Sequence, residues 1–409
     1  FDAVGRLQTI TARNGWALTF IYSGNLLTQV RNHFGRTLSF SYDQAGRLVL
    51  VVAPDGSTVQ YALDAQARLS LAQFSDGRSR TYLYESNTLP LALTGIVDEA
   101  GNRYASFEYY PDGRAASTQH ANGVNRYSMT YGANATYIVD PLGMQRTKRY
   151  AAEKGRLIVA YVDVPDVDRS PIHSRQQSEN GLLISDTDFL GITQLYTWDA
   201  ARELTLSTTR AAGRPEAQTV QTQWHAAYRL PTQVTESGRQ TNLEYDTQGN
   251  LTRRVVSDMV SGASQAWSYA WADGLMTAET DPLGRTTRYE YDATGNAIRV
   301  VNALGQATVL AYDAGGRVTQ ATSPGGIVTR YVYDARGRMI SRSITPAGGG
   351  AAEIDAFAFY STGKLARVTA ANGLVLDYTY DPAQRLIGVR DSHGNTVAYT
   401  LDGMGNRVR

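Results

Sequence analysis

The stretch that decides the fold runs from Asp281 to Val301 and reads DPLGRTTRYEYDATGNAIRVV. Two turn signals, at 281–284 and 292–295, each begin with Asp and end with Gly. Between the turns, Tyr289 and Tyr291 alternate with charged residues, which is the period-2 pattern of a strand with one buried face. The stretch therefore predicts short antiparallel strands joined by tight turns.

The same unit recurs along the chain. The pair Tyr291-Asp292 is followed by Tyr312-Asp313 after 21 residues and by Tyr333-Asp334 after 21 more. Such self-similarity is typical of repeat arrays, in which each unit packs on its neighbours and one body can reach any length. The residues that define the repeat, and for which we expect a structural role, are Tyr42, Asp43, Gly46, Arg47, Tyr245, Asp246, Gly249, Tyr291, Asp292, Gly295, Tyr312, Asp313, Gly316, Arg317, Tyr333, Asp334, Gly337, Arg338, Tyr380 and Asp381.

Turn chemistry accounts for the recurring Asp and Gly. An Asp at the first position of a turn accepts a hydrogen bond from the backbone two residues later. A Gly three residues after that Asp tolerates the positive φ that a hairpin with a type I turn and a G1 bulge requires. The alternate turns carry Pro-Asp-Gly, Pro-Leu-Gly or Asn-Gly, which also favour hairpins. These features predict an all-β fold of tandem hairpins in one long antiparallel sheet.

Tyrosine and glycine are unusually frequent in the chain, with 26 and 38 residues. Aromatic pairs two residues apart precede many of the turns, as in Phe40/Tyr42 and Tyr331/Tyr333. Repeated on every other strand, such pairs lay aromatic ladders across a sheet and contribute roughly 0.2–1 kcal/mol each. We therefore interpret the tyrosines as packing residues rather than as ligand-stacking residues.

The totals exclude several classes of protein. Thirty-nine Lys and Arg nearly balance 38 Asp and Glu, so we expect no strong field for nucleic acid or an anionic membrane. Cysteine is absent, which excludes disulfides and cysteine-based sites. No apolar run approaches the roughly 20 residues of a membrane span. The chain is thus predicted to bind no nucleic acid and to have no membrane-spanning segment.

The repeat sets the expected domain organisation. We predict one continuous array over residues 1–409, less regular over 151–230, because the repeat frame blurs there. The chain opens at Phe1 and closes near Gly405, each within a repeat turn and with no atypical capping unit. We therefore expect a segment of a longer array, with targeting signals and end domains outside it.

Candidate residues for chemistry lack the spacing of a known site. An acidic group could attract calcium but has neither the Gly nor the terminal Glu of an EF-hand loop. The histidines are scattered, no nucleotide-binding or hydrolase motif occurs, and no two carboxylates can be placed face to face as a glycosidase pair. We predict no metal, no cofactor and no catalytic residue. The acidic group and the histidines are Asp163, Asp166, Asp168, Asp186, Asp188, His33, His120, His173, His225 and His393.

The unit Tyr-Asp-x-x-Gly-Arg-Leu followed by Asp-Pro-x-Gly-Arg-Thr resembles the YD repeat of Rhs proteins over essentially the whole chain. The opening, with Phe34-Gly-Arg-Thr-Leu-Ser-Phe-Ser-Tyr42-Asp43 and Leu91-Ala-Leu-Thr94-Gly95, resembles the early core of bacterial Rhs polymorphic toxins. Teneurins, Tc-toxin components and wall-associated proteins are similar to it through the repeat alone.

The resemblance implies a sheet that spirals into a hollow shell around a toxic C-terminal domain. The family releases that domain by self-cleavage beside an Asp-Pro-x-Gly-Leu motif. Neither Asp140-Pro-Leu-Gly-Met144 nor Asp281-Pro-Leu-Gly-Arg285 has that leucine, so we assign no toxin and no processing site to this chain. About 17 units of two strands at about 4.8 Å give on the order of 160 Å of sheet, roughly one turn of a 50 Å cylinder.

The resemblance also implies the partners and the setting. The partners are a toxic C-terminal cargo domain, the remaining shell of the parent chain, a secretion spike and a chaperone. The setting is secretion or the cell surface, with type VI secretion and interbacterial competition as the context. The alternative is a cell-surface protein that binds a glycan or a receptor through exposed aromatic rows. A more distant alternative is an enzyme of propeller-like or barrel form.

Overall fold

The computed structural model describes residues 1–153, 156–163 and 172–408. Within these ranges the protein is nearly all β, with 36 strands in one antiparallel sheet and a single 3₁₀ turn at Ala121–Gly123. The predicted fold class is confirmed. The chain forms two compact units: unit 1 comprises Phe1–Arg126 and Thr287–Arg409, and unit 2 comprises Tyr127–Thr286.

Unit 1 contains the most regular repeats, with strands of three to seven residues. Its first half holds β1 (Thr9–Thr11), β2 (Ala17–Ser23), β3 (Leu26–Arg31), β4 (Thr37–Tyr42), β5 (Leu48–Val52), β6 (Thr58–Leu63), β7 (Leu69–Phe74), β8 (Ser79–Leu83), β9 (Gly95–Val97), β10 (Arg103–Tyr109) and β11 (Ala115–His120). Its second half holds β26 (Thr286–Tyr291), β27 (Ala297–Val301), β28 (Ala307–Tyr312), β29 (Val318–Thr322), β30 (Val328–Tyr333), β31 (Met339–Thr345), β32 (Glu353–Phe359), β33 (Leu365–Thr369), β34 (Val375–Tyr380), β35 (Leu386–Asp391) and β36 (Thr396–Ala398).

Unit 2 has longer strands, of five to nine residues. They are β12 (Tyr127–Tyr131), β13 (Ala135–Val139), β14 (Gln145–Glu153), β15 (Arg156–Val162), β16 (Ile172–Gln177), β17 (Leu183–Asp188), β18 (Thr193–Asp199), β19 (Leu204–Arg210), β20 (Gln218–Trp224), β21 (Pro231–Glu236), β22 (Arg239–Tyr245), β23 (Leu251–Asp258), β24 (Ser264–Ala272) and β25 (Leu275–Thr280). Two short parts of the irregular stretch, 154–155 and 164–171, lie outside the described residues. That residues 1–409 form a single continuous repeat array stays a prediction.

A bulge in the strand register sets the orientation of the tyrosine in each Tyr-Asp pair. In the β26–β27 pair, Tyr289 faces Val300, whereas Tyr291 faces Ala297, and a bulge lies between Glu290 and Tyr291. The β28–β29 and β30–β31 pairs have the same shift one residue before the turn. A bulge adds twist and turns the last side chain of the strand. The tyrosine of each repeat is therefore the residue that the bulge reorients.

A hydrogen bond across the sheet fixes that tyrosine. The hydroxyl of Tyr312 donates to the carbonyl of Ala297 at 2.8 Å, and the hydroxyl of Tyr333 donates to the carbonyl of Val318 at 2.8 Å. Both acceptors lie 15 residues earlier, at the start of the preceding strand. Tyrosine is thus favoured over phenylalanine at this position because its polar end satisfies a backbone carbonyl.

The sheet has no thick core. Among the described residues no large side chain is fully buried, and most strand residues are half-buried. Cross-strand pairs and turn hydrogen bonds therefore supply much of the stabilisation, as in other solenoid-like arrays. No helix in the described ranges combines the length and apolar character needed to cross a bilayer.

Candidate functional site

The Tyr-Asp turn is the structural element that recurs in the repeat, and its aspartate accepts most of the hydrogen bonds that close it. In the turn that begins at Asp292, one carboxylate oxygen accepts the backbone N–H groups of Thr294 at 2.8 Å and Asn296 at 3.0 Å. The other oxygen accepts the side-chain amide of Asn296 at 2.9 Å. Gly295 donates its N–H to the Asp292 carbonyl and has φ +79°, a conformation that disfavours a side chain.

These hydrogen bonds change the acidity of the turn. Partial burial would raise the pKa of Asp292, but the bonds from Asn296 and Thr294 outweigh it and lower the pKa to about 2. The pKa values of Asp43, Asp246, Asp313 and Asp334 are lowered as well, by donors from their own turns. These five aspartates are therefore ionised structural acceptors in their turns.

The arginine that ends most of these turns binds back to the same aspartate. In the turns at Asp43, Asp313, Asp334 and Asp381, the Nε–H of the arginine four residues later donates to the Asp carboxylate at 2.7–2.8 Å. Sequence reasoning explained the Asp and the Gly of the motif but did not find this ion pair. In the turns at Asp43, Asp334 and Asp381 the Nη2 atom contacts the same carboxylate, whereas Nη2 of Arg317 contacts Asp55 in a distant turn.

The predicted motif residues fall into three places. Tyr42, Asp43, Gly46 and Arg47 form a turn after β4, in the first half of unit 1. Tyr245, Asp246 and Gly249 form the turn after β22 in unit 2, where the Tyr245 hydroxyl donates to the Pro231 carbonyl at 2.9 Å. The remaining motif residues lie in the second half of unit 1, from Tyr291 to Asp381. Several of this last group meet residues from the first half of the unit.

We call this meeting of the two halves of unit 1 the seam. It joins the early turns at 32–36, 53–57, 74–78 and 98–102 to the late turns at 292–296, 313–317, 334–338 and 381–385. At its start, Arg36 donates to the Asn296 side-chain oxygen at 2.7 Å, across 260 residues. A Cβ built on Gly295 would lie 2.8 Å from the ring of Phe34. The Phe34 ring therefore occupies the space that the glycine leaves open.

The next contacts of the seam are ion pairs. Arg317 lies 2.9 Å from the carboxylate of Asp55, and the pair is 29% and 14% exposed. Hydrogen bonds from Ser57 and then the charge of Arg317 lower the pKa of Asp55. Arg317 also binds Asp313 of its own turn, so one guanidinium ties a late turn to an early one. A bridge of this kind fixes the register in which the two rows of turns meet.

Arg336 is the centre of the most buried part of the seam. Its guanidinium lies 4.3 Å from the ring centroid of Phe74, 3.0 Å from the carboxylate of Asp76 and 3.8 Å from that of Glu99. The Arg336 Nε atom makes no hydrogen bond, so its contact with Asp76 is an ion pair alone. Arg80 binds the same oxygen of Glu99 at 2.9 Å, which places Glu99 between two cations.

The seam continues beyond the ion pairs. Gln384 donates from its side-chain amide to Asp98 at 3.0 Å, and the N–H of Asn125 donates to the Gly403 carbonyl at 2.8 Å. In the pairs Asp55–Arg317, Asp76–Arg336 and Asp98–Gln384 the early turn supplies the carboxylate and the late turn supplies the arginine or amide, whereas Arg36 donates in the opposite direction. Opposite charge across the seam favours this pairing of turns over others.

The sequence could have singled out Arg336, because it departs from the residue type found at that position in the neighbouring repeats. The position before the turn glycine is small in the neighbouring repeats, with Ala45, Thr294 and Gly315, whereas Arg336 occupies it here. Phe34, Asp55, Asp76 and Glu99 lie in the alternate turns, where many residue types occur, so sequence reasoning gave them no role. Their partners are about 260 residues away, a separation that the 21-residue period alone does not supply.

The structure gives the candidate metal residues ordinary roles where it describes them. The Asp186 carboxylate accepts the Tyr196 hydroxyl at 2.8 Å, and burial together with that contact raises the pKa of Tyr196 to about 12. Asp188 accepts two turn N–H groups, and Asp163 accepts the N–H of Thr147. Asp166 and Asp168 lie outside the described residues. Over the described ranges, no group of three or more His, Asp or Glu side chains could hold a metal ion.

Two family models match the chain. The Teneurin YD-shell model matches residues 228–402, and the RHS Repeat model matches residues 23–58. The chain thus resembles Rhs/YD-repeat proteins over these two ranges. No curated protein sequence matches it. The resemblance inferred from the Tyr-Asp turns is thereby confirmed.

Solved structures resemble the fold over nearly the whole chain. A crystal structure of TcdB2-TccC3 matches 98% of this chain with a TM-score of 0.61 and 15% identity. The same complex without its hypervariable C-terminal region matches 99% with a TM-score of 0.58 and 12% identity. A Tc holotoxin pore of Photorhabdus luminescens matches 99% with a TM-score of 0.57 and 12% identity. The chain spans 26–29% of the length of these structures.

Proposed function

We propose that this protein is a non-catalytic segment of an Rhs-type shell that encloses a toxic C-terminal domain lying outside this chain. The observation that carries the proposal is the seam. A strip of sheet becomes a wall when its turns meet the turns of a distant stretch of the same strip. The side chains of Phe34, Asp55 and Arg336 have contacts of that kind.

In this proposal the wall encloses the cargo domain and closes the edges of the sheet, and it catalyses no reaction. A long sheet exposes unpaired edges that favour aggregation, and closing the sheet on itself removes much of that hazard. The turn aspartates of the described residues accept hydrogen bonds within their own turns, and this structural role supports a scaffold. In this proposal the cargo domain is the main partner, the rest of the shell is the second, and the protein is secreted or displayed at the cell surface.

A genetic experiment separates the shell from an adhesin. The gene should continue beyond Arg409 into further shell and a small toxic domain, with an immunity gene next to it. Replacing Arg336 by Asp puts a third carboxylate beside Asp76 and Glu99, which opens the seam. If the protein is a shell, that change should poison producing cells that lack the immunity gene, or abolish killing of neighbouring cells. Replacing Arg299 by Asp is the matched control, because Arg299 forms an exposed pair with Glu290 on the adjacent strand and contacts no early turn among the described residues.

Two results would contradict the proposal. One is a gene that ends in a surface anchor or a lectin module. The other is unchanged growth and unchanged killing by the Arg336→Asp strain, provided that the purified variant has a lowered melting temperature. An adhesin would instead lose attachment to cells or glycans in the variant and would show no toxicity in either strain.

A further inference from the structure

A buried carboxylate in unit 1 has no counter-ion among the described residues. Three acidic residues of the described chain, Asp98, Glu99 and Asp140, are at most 8% exposed. Glu99 pairs with Arg80 at 2.9 Å, and Asp140 pairs with Arg146 at 2.8 Å. Asp98 has no described lysine or arginine at ion-pair distance. Buried charges in proteins are ordinarily paired, because an isolated one loses its hydration without compensation.

Hydrogen bonds hold the Asp98 carboxylate in place without neutralising it. Its Oδ1 atom accepts the N–H groups of Ala100 and Asn102, each at 3.0 Å, and its Oδ2 atom accepts the side-chain amide of Gln384 at 3.0 Å. All three donors are neutral groups. A carboxylate oxygen has two lone-pair sites, so Oδ2 has capacity for one more donor.

The carboxylate lies beside a cavity of about 160 Å³, between the early turn that begins at Asp98 and the late turns that begin at Tyr360 and Asp381. The rings of Tyr360 and Tyr380 line it and meet edge to face, with their centroids 6.0 Å apart. No lysine or arginine occurs among the described residues that line it. The second lining carboxylate, Asp381, is already paired with Arg385 at 2.7 Å. Asp98 is thus the lining acid whose charge is uncompensated.

Two lining residues depart from the repeat motif in ways that suit a cation. Tyr360 takes the place of the turn aspartate, and its hydroxyl donates to the Tyr378 carbonyl at 2.9 Å, which holds the ring. Gln384 takes the place of the turn glycine at φ +61°, and its Oε1 atom accepts no hydrogen bond from the described residues. Ala67 also replaces a turn glycine, so the strain alone is no evidence of a site. An aromatic face and a neutral acceptor both attract a cation.

We propose that this cavity binds a primary ammonium group, for which Asp98 is the counter-ion. An ammonium donates three hydrogen bonds, and the lining has acceptors with free capacity in Asp98 Oδ2, Gln384 Oε1 and the Thr379 hydroxyl. The alkyl chain that carries the ammonium packs on the tyrosine rings. An anion would instead meet the uncompensated charge of Asp98. A metal ion is disfavoured, because no group of three described His, Asp or Glu side chains could hold one.

The same chemistry has two sources, a free alkylamine and a lysine side chain of a protein. The probes are therefore n-butylammonium and Nα-acetyl-lysine N-methylamide, with 1-pentanol as a neutral analogue of similar size. Each is titrated into the full chain by isothermal titration calorimetry. Equal affinity for the two amines identifies a lysine side chain as the ligand, whereas binding of n-butylammonium alone identifies a free amine.

Asp98→Asn removes the charge and keeps the turn. Asn32 and Asn302 hold the same position in other turns, where they accept the same two backbone N–H groups. Asp246→Asn is the matched control, because it makes the same change of charge in a turn that does not line the cavity.

Tyr360→Ser is a second variant, which removes the ring and adds no charge. Serine is compatible with this position, since Ser323 begins another turn and its hydroxyl accepts the N–H of Ile327. The melting temperature of each variant shows whether it is folded.

The wild type and Asp246→Asn should bind n-butylammonium with the same affinity, and 1-pentanol should show no saturable binding. Asp98→Asn should bind n-butylammonium at least tenfold more weakly, and Tyr360→Ser at least threefold more weakly. A wild type that does not bind n-butylammonium overturns the inference, and so does equal affinity of the wild type and Asp98→Asn. If Asp98→Asn does not fold, equal affinity of the wild type and Tyr360→Ser overturns it instead. None of these results bears on the shell, which the growth and killing assays test.

Discussion

The seam makes a quantitative prediction about two glycines with the same backbone conformation. Gly295 has φ +79° and Gly305 has φ +77°. A Cβ at Gly295 would lie 2.8 Å from Phe34, whereas a Cβ at Gly305 would have nothing within 4 Å. Alanine at either position should cost about 1–2 kcal/mol for the left-handed backbone. Alanine at Gly295 should cost about 1–3 kcal/mol more, because the Phe34 ring must move.

A double-mutant cycle isolates the extra cost. In a background with Phe34→Ala, the Gly295→Ala change should cost no more than Gly305→Ala does, since the obstructing ring is gone. Urea unfolding followed by far-UV circular dichroism gives the free energies. Trp16 fluorescence reports locally, because the Trp16 ring lies 5.1 Å from that of Phe34. Equal costs for Gly295→Ala and Gly305→Ala in the wild-type background would refute the placement of Phe34 against the late turn.

Three further predictions follow from single contacts. Arg317→Asp should lower the free energy of unfolding at low salt. Adding Asp55→Arg should restore about 1 kcal/mol of that loss, and the restored amount should shrink in 1 M salt. If the second substitution restores nothing, Arg317 and Asp55 do not form an ion pair. Because the pKa of Asp292 is about 2 in the folded state and 3.8 ordinarily, its contribution to stability is complete above about pH 4 and is lost as the pH falls toward 2. The melting temperature of Asp292→Asn should therefore vary less than that of the wild type between pH 4 and pH 2, and an identical profile would contradict this. Tyr333→Phe should cost about 0.5–1.5 kcal/mol by removing one hydroxyl bond, whereas Tyr331→Phe, whose hydroxyl has no such bond among the described residues, should cost less in the same urea assay.

The local structure was predictable from the sequence because short-range chemistry fixes it. The Asp and Gly of each turn follow from backbone φ and from Asx hydrogen bonding, which need only four or five consecutive residues. The alternation around Tyr289 and Tyr291 gave the strand and its half-buried face. The 21-residue period then gave the array. Each of these inferences uses residues that are close together in the chain.

The tyrosine hydroxyl bonds were less accessible to sequence reasoning. The Tyr312 hydroxyl donates to the backbone carbonyl of Ala297. Because every residue has a backbone carbonyl, the sequence does not show which one accepts this bond. The preference for tyrosine over phenylalanine before the turns was the available signal. Sequence reasoning read that preference as ring packing, and the described contacts add the hydroxyl bond as a second cause.

The seam lay beyond sequence reasoning for a different reason. Its position depends on the twist per strand accumulated over about 260 residues, and a small error per strand would shift the partner turn by a whole repeat. The charges at Asp55, Asp76 and Arg336 are visible in the sequence, but nothing local says that they face one another. Departures from the motif, such as Arg336 and Gln384, were the signal in the sequence that pointed to these places.

The most direct test of the seam is a disulfide between an early and a late turn. A Cβ built on Gly315 lies 3.3 Å from the Cβ of Asp55, close to the spacing of a disulfide, and the chain has no cysteine of its own. The Asp55→Cys, Gly315→Cys variant should form one intramolecular disulfide on mild oxidation, seen as a faster band on a non-reducing gel and by mass spectrometry. A control with Asp55→Cys and Gly305→Cys should not. If the first pair stays reduced or gives only cross-linked dimers, the two halves of unit 1 do not meet as described.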